Sequence, residues 1–353
     1  MTDLREPFLD LAEWTADTSP LYERLCRIVA DEPELLTLAE TVPADRAVAN
    51  VFLAAVHCVV RRGVDHPLAN YYSSVTDDPR PPDGDLGPAL RDFCRTYAGA
   101  LRPLLTDRRT QTNEVGRCAV LYPAIAHVTA QTEGQIALVE IGPSAGLNLA
   151  LDRYGYAFRG RDLDEDVRRV GRSDAPVTIR ATVEEGTPPL PVDPPGVHSR
   201  VGVDLNPMDV TDEADVEWLG ALTWPEHDQR RAALSDAVAV ARRDPPRLIE
   251  GDAIDELPRI LDTIPADVPV VVYSTLVLYQ LPDEVRANLR DLIATRARER
   301  QLHWLTGSGA FDDPGDGLDL RWHRSVAGTL TTDRLARYHP HGQWIEWHAD
   351  GDR

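Results

Sequence analysis

Two chemistries compete for the stretch Glu140-Ile141-Gly142-Pro143-Ser144-Ala145-Gly146. Gly142, Ser144 and Gly146 spell G-x-S-x-G, the sharp strand-to-helix turn that presents a nucleophilic serine. A hydrolase built on it needs an acid and then a histidine further along the chain. Asp204 or Asp252, followed by His303 or His339, have that order. The same residues also spell an acid, one spacer and a Gly-rich turn, the pattern that holds a nucleotide-type cofactor on a parallel sheet. In that arrangement Ser144 is the small middle residue of a cradle, and Glu140 is the group with chemistry to do.

The topology favours the cradle. A nucleophile elbow follows several earlier strands and an upstream oxyanion loop. Here "QIALVEIG" is the first stretch that has the look of a strand, and no Gly-rich loop precedes it. Gly142 and Gly146 let backbone approach a ligand closely, and a helix starting near Ala145 would point free N–H groups at it. The dinucleotide fingerprint fails, because the third residue after Ser144 is Leu147. The shorter acid-x-Gly-x-small-x-Gly form suits S-adenosylmethionine, whose sulfonium and ammonium would lie well beside Glu140. Asp204, ending "VGVDL", is placed to accept ribose hydroxyls. Asp252, after "RLIEG", is placed for the adenine amino group, and Ser274 and Thr275 open from "VPVVVYS" onto the same sheet end. A nucleoside-binding protein without methyl transfer stays open beside this reading, as does the serine hydrolase.

Other candidates lie outside the cradle. In "TQTNEVGR", Asn113, Glu114 and Arg117 are expected on one side of the last helix before the first strand. Arg117 would fork onto the cofactor's carboxylate, and Glu114 would serve as a general base; a solvated Glu–Arg face is the plain alternative. Tyr71 and Tyr72 of "HPLANYYSS" are candidates to stack on substrate, or to pack at a domain joint. His339 and His341 have an H-x-H spacing, but Pro340 and Gly342 make this a turn leading into an edge strand rather than a metal site.

These groups need a scaffold. Up to about residue 130 the apolar residues recur three and four apart, as in "PLYERLCRIVADEPELLTLAE" and "ADRAVANVFLAAVHCVVRRG". From Gln135 onward short apolar runs, "QIALVEIG", "RVGVDL", "RLIEG", "VPVVVYS" and "LHWLTG", alternate with helical stretches. The expected fold is α/β: a Rossmann-like, mainly parallel sheet over residues 131–353, with an all-helical N-terminal cap over residues 1–130. "RYGYAF" and "VTIRATV" form an antiparallel hairpin insertion at about 151–199, and "LDLRWHRSV" and "QWIEWHA" close an antiparallel C-terminal edge.

Bulk properties narrow the setting. The 353 residues carry a formal charge of -21 and no lysine, a composition suited to a high-salt, halophilic cytoplasm. That charge argues against nucleic acid as a partner. The four cysteines, Cys26, Cys58, Cys94 and Cys118, form no C-x-x-C pair and are expected to be buried thiols. No signal-peptide pattern opens the chain, and "VPVVVYSTLVLYQL" is too short and too interrupted to span a bilayer. A cytoplasmic enzyme acting on a small molecule is expected; nothing in the sequence specifies an oligomeric state.

With these residues assembled, the chain resembles the class I S-adenosylmethionine-dependent methyltransferases over about residues 135–310. Over its whole length it resembles an uncharacterised prokaryotic domain family, DUF2332, through "HPLANYY", "QTNEVGR", "EIGPSAGLNL", "DRYGY", "VGVDLNPMDV", "WPEHDQR", "GDA" and "HPHGQWIEW". The methyltransferase resemblance implies that Glu140, Gly142 and Gly146 hold the methionine part, Asp204 the ribose, and Asp252 with Ala253 the adenine. The chain departs from that family in two ways. Ser144 replaces the middle glycine, and Asp204 follows Glu140 by 204 − 140 = 64 positions, where a ribose acid ordinarily follows by about 20.

Overall fold

A computed structural model describes residues 4–160, 163, 166–308 and 317–349. Its first helices are α1 (Arg5–Thr15), α2 (Pro20–Asp31), α3 (Pro33–Ala39), α4 (Val48–Arg61), α5 (Leu86–Thr96), α6 (Ala98–Asp107) and α7 (Cys118–Thr129). Strands β1 (Ile136–Ile141), β2 (Gly155–Gly160), β3 (Arg168–Gly171), β4 (Thr178–Glu185) and β5 (Val197–Asp204) follow. Then come α8 (Glu213–Ala221), α9 (Asp228–Arg243), β6 (Arg247–Glu250), α10 (Ala253–Thr263), β7 (Val270–Thr275), α11 (Asp283–Glu299) and β8 (Leu302–Ser308). The chain closes with β9 (Leu318–Val326), β10 (Thr329–Tyr338) and β11 (Trp344–Trp347). Residues 1–112 and 212–232 form one unit, and residues 113–211 and 233–353 the other.

The first unit is helical. "PLYERLCRIVADEPELLTLAE" makes two helices rather than one, because Pro33 has no N–H to continue α2 and instead starts α3. Ser19 caps α2 by accepting the Tyr22 N–H. Every residue of α4 from Val51 to Val60 is buried, as expected of a helix apolar all round. The segment 212–232 belongs here: Glu217 on α8 takes a two-pronged bond from Arg62, 2.8 Å at each oxygen. The boundary therefore falls near residue 112 rather than 130, with a second helical piece that the even strand–helix rhythm concealed.

One polar side chain lies inside α4. His57 is fully buried, with Nδ1 3.0 Å from the Ala221 carbonyl and Nε2 2.8 Å from the Ser74 hydroxyl. Burial, helped by the nearby Arg61 charge, pushes its pKa down to about 3. Its imidazole NMR signals should therefore stay unshifted between pH 8 and pH 5. Titration of His57 near pH 6 would show that the ring is reached by solvent.

The second unit is a mixed α/β body around one 11-stranded sheet, ordered β3-β2-β4-β11-β10-β9-β8-β7-β1-β5-β6. Six of its ten strand pairings are parallel and four are antiparallel. Ala137, Val139 and Ile141 of β1 join Val270 and Val272 of β7 in a core completed by Leu257, Ile260, Leu289 and Ile293 of α10 and α11. The intervening residues, Leu138 and Glu140, point to the opposite face.

Three expectations are corrected here. The stretches read as an antiparallel hairpin are β2 and β4, which lie side by side in parallel; the antiparallel partner of β2 is the short, arginine-rich β3. The C-terminal strands do not form the sheet's edge, because β4 pairs with β11 and carries the insertion beyond them. No α-helix starts near Ala145. A kinked 3-10 helix, Leu147–Arg153, follows β1 instead. Tyr154 and Tyr156 donate their hydroxyls to the Leu147 and Leu151 carbonyls, at 2.7 and 2.5 Å. The Leu147 carbonyl is thereby occupied by a group other than the N–H that a regular helix would offer it.

All four cysteines are buried and free. Among the described residues no helix is long and apolar enough to cross a membrane.

Candidate active site at the carboxyl end of the parallel strands

The turn after β1 has a positive φ at every second residue. Gly142, Ser144 and Gly146 have φ of 71°, 54° and 72°. The Gly146 N–H closes on the Pro143 carbonyl at 2.8 Å, so Ser144 is the first corner of a tight turn. Left-handed backbone there costs a residue other than glycine roughly 1–2 kcal/mol. The loop is tied to β5: Gly142 N–H donates to the Val203 carbonyl, and Met208 N–H to the Ser144 carbonyl. Its glycines are also needed for packing. A Cβ on Gly142 would lie 2.4 Å from Val277, and one on Gly146 2.7 Å from Pro246.

Asp204 organises this turn. One carboxylate oxygen accepts the Ser144 N–H and the other the Asn206 N–H, both at 2.9 Å. Asp252 caps α10, accepting the Ile254 N–H at 2.7 Å, and Ala253 is the first residue of that helix. Together with Glu140 these acids follow, or end, three adjacent parallel strands, β1, β5 and β6.

Beneath the turn is a buried polar cluster. Glu140 is 2% exposed and accepts the Tyr273 hydroxyl at 3.2 Å. Burial pushes its pKa up to about 8, against the Tyr273 bond, the Arg117 charge and an Asn148 bond. The Cys118 thiol donates to Asn148 Oδ1 at 3.3 Å, and Asn113 Oδ1 accepts the Leu147 N–H at 3.0 Å. Asn113 thus satisfies a donor at the start of the 3-10 helix.

Asn113, Glu114 and Arg117 do not share one side of a long helix. Residues 111–114 are neither helix nor strand, Val115–Arg117 form a 3-10 turn, and α7 starts at Cys118. A solvated face is also excluded, because all three side chains are buried. Glu114 and Arg117 meet the turn 339–342. Arg117 Nε donates to the Pro340 carbonyl at 3.0 Å, and His341 Nδ1 lies 3.2 Å from Glu114 Oε2. The backbones touch closely enough that a Cβ on Gly116 would lie 2.2 Å from the His341 carbonyl. The turn folds on itself through the His341 N–H to His339 Nδ1, 3.1 Å, and the Gly342 N–H to the His339 carbonyl, 2.7 Å. His341 is the residue whose place the sequence did not disclose. The only signal was two Gly-containing motifs, more than two hundred positions apart, that needed each other.

The remaining candidates divide. Ser274 is fully buried near the end of β7, its hydroxyl without a hydrogen-bond partner, and Leu276 just beyond has φ of 59°. Tyr71 and Tyr72 are buried in the first unit. Tyr71 donates to Asp83 at 2.7 Å, and Tyr72 stacks on His57 with centroids 5.3 Å apart. His303 lies inside the sheet and accepts the Trp322 indole N–H at 3.2 Å. Among the described residues no group of three His, Cys, Asp or Glu could hold a metal ion.

A helical unit and a mixed α/β unit, the latter with a polar cluster under a Gly-rich turn, define the class of protein this is. The chain belongs to the family described as "Uncharacterized protein conserved in bacteria (DUF2332)", which matches residues 5–347 and so takes in both units. No curated protein and no solved structure matches it.

Proposed function

We propose that the chain is an S-adenosylmethionine-dependent methyltransferase acting on a small molecule. The observation that carries this reading is the parallel run β6-β5-β1-β7-β8, with the Gly-rich turn directly after its first strand. Counted along the chain these strands are 3-2-1-4-5, the order of Rossmann-like sheets, whose ligands bind outside the carboxyl ends where the order reverses. That reversal lies between β1 and β7. The cluster also suits a cation, since Glu140 is a buried carboxyl whose pKa burial pushes up to about 8, and a positive charge beside it would favour its ionised form.

Bound there, the cofactor supplies an electrophilic methyl on a sulfonium that leaves as a neutral thioether. The chain's part is to bind and align. Backbone at Gly142, Ser144 and Gly146 comes close, and Glu140 faces the cation. Asp204 takes the ribose hydroxyls in exchange for a backbone N–H, Asp252 and Ala253 take the adenine, and Arg117 takes the carboxylate. Asn113 holds the turn in place, and Ser274 supplies a hydroxyl at the end of β7. Tyr71 and Tyr72 serve as packing in the first unit, which leaves substrate stacking to other groups.

Titration calorimetry with S-adenosylmethionine and S-adenosylhomocysteine tests this. Binding is expected with both. Asp204→Asn should weaken it about 10–100-fold, the value of one or two charge-assisted bonds, and should also lower the unliganded melting temperature, because one backbone N–H of the turn loses its acceptor. No heat and no thermal shift with either ligand would sink the reading. One observation favours a hydrolase instead: the left-handed backbone at Ser144 is also what an elbow nucleophile has. Labelling of Ser144 by a fluorophosphonate would promote that alternative.

A further inference from the structure

We infer that Tyr338 is a further ligand-binding residue of this site, donating its hydroxyl to the carboxylate of the ligand's amino-acid part. The inference rests on the cofactor reading above and names the group that shares that carboxylate with Arg117. Tyr338 ends β10 and is fully buried. Its hydroxyl has no hydrogen-bond partner among the described residues. A buried phenol left so costs free energy that phenylalanine, with the same ring, would not. The sheet nonetheless makes room for it. A Cβ on Gly307 would lie 2.1 Å from the Tyr338 hydroxyl oxygen, so β8 has no side chain at the position where one would displace it.

The hydroxyl is aimed at the carboxyl end of β7. Gly307 pairs with Thr275, whose Cα would lie 3.4 Å from the same added Cβ. Thr275 follows Tyr273, the partner of Glu140, by two residues, so it shares the Glu140 face. Gly142 follows Glu140 by the same two residues, and its added Cβ would meet Val277, just beyond β7. The Tyr338 hydroxyl and the Gly-rich turn therefore flank one strand end. That end also has strained backbone: Leu276, next after Thr275, has φ of 59°, and strain of this kind clusters at ligand sites.

Chemistry selects the ligand group. Arg117 donates to the Pro340 carbonyl, two residues after Tyr338, and its charge bears on both Glu140 and Tyr338. Burial still pushes the Tyr338 pKa up to about 12, against that charge. The phenol is thus a neutral donor in the field of a cation. An anionic oxygen suits it, whereas the sulfonium and ammonium suit Glu140.

Titration calorimetry on the full chain tests this with two probes. One is S-adenosylhomocysteine; the other is methylthioadenosine, which keeps the nucleoside and thioether but has no carboxylate. Tyr338→Phe should weaken S-adenosylhomocysteine about 10–100-fold, the value of a hydrogen bond to a charged group, and leave methylthioadenosine within about twofold. The unliganded melting temperature should hold or rise, because no bond within the protein is lost. An equal loss for both probes, or none for S-adenosylhomocysteine, would overturn the assignment and leave the cofactor reading intact. So would a fall in melting temperature, which would reveal a structural partner for the hydroxyl. A wild type that binds neither probe sinks the cofactor reading, and this inference with it.

Discussion

Gly342→Ala should destabilise the second unit by about 2–5 kcal/mol, combining left-handed strain with overpacking. The residue has φ of 73°, and its added Cβ would lie 1.9 Å from the Gly116 carbonyl oxygen. Both sides of that contact are backbone, so no side chain can swing aside. The Gly116 segment cannot retreat without pulling Arg117 off the Pro340 carbonyl and Glu114 away from His341. Gly328→Ala separates the two costs. It has φ of 80° but nothing within 4 Å of the new Cβ, so only strain remains, roughly 1–2 kcal/mol. Urea denaturation of both variants, followed through the second unit's transition, reads the difference. Equal midpoints would mean that the 339–342 turn does not press on residues 114–117 as described.

That contact also marks how far the sequence could be read. β1 and β7 were legible because strands buried on both faces are unbroken apolar runs. The Gly-rich turn was legible because alternate left-handed positions demand small residues. What failed was non-local. β10 was missed because "TLTTDRLARY" has no apolar run and its exposed positions cluster in its first half, so it acquires strand character only between β9 and β11. β2 and β4 alternate like hairpin strands, but a connection through β3 makes them parallel neighbours. The 3-10 helix after β1 has helix-forming leucines and an alanine; two tyrosine hydroxyls from further along the chain decide its geometry. Within the site, Glu140 and Asp204 could be found from their place at strand ends. Asn113, Glu114 and His341 could be noticed as motif residues, but their partners lie 34 and 227 positions away.

Glu140→Gln should make the protein less sensitive to alkaline pH, by an amount on the order of 4 kcal/mol between pH 5 and pH 9. Unfolded, Glu140 titrates as an ordinary glutamic acid near 4.3; folded, its pKa is about 8. Between those values the native state holds a proton that the unfolded state has released. Stability therefore declines as pH rises through that window and levels off above it. Glutamine mimics the protonated acid, keeping an oxygen for the Tyr273 hydroxyl. Wild type and variant should be nearly equal at pH 5, with the variant gaining steadily toward pH 9. A constant difference across the range would show that Glu140 is ionised throughout. The same proton ties the group to the proposed cofactor. A sulfonium or ammonium beside Glu140 favours its carboxylate, so binding at pH 7 must release a proton. The binding enthalpy should then vary with the ionisation enthalpy of the buffer in wild type and not in Glu140→Gln. That dependence would separate a cation seated on Glu140 from a nucleoside that binds only at the Asp204 and Asp252 strand ends.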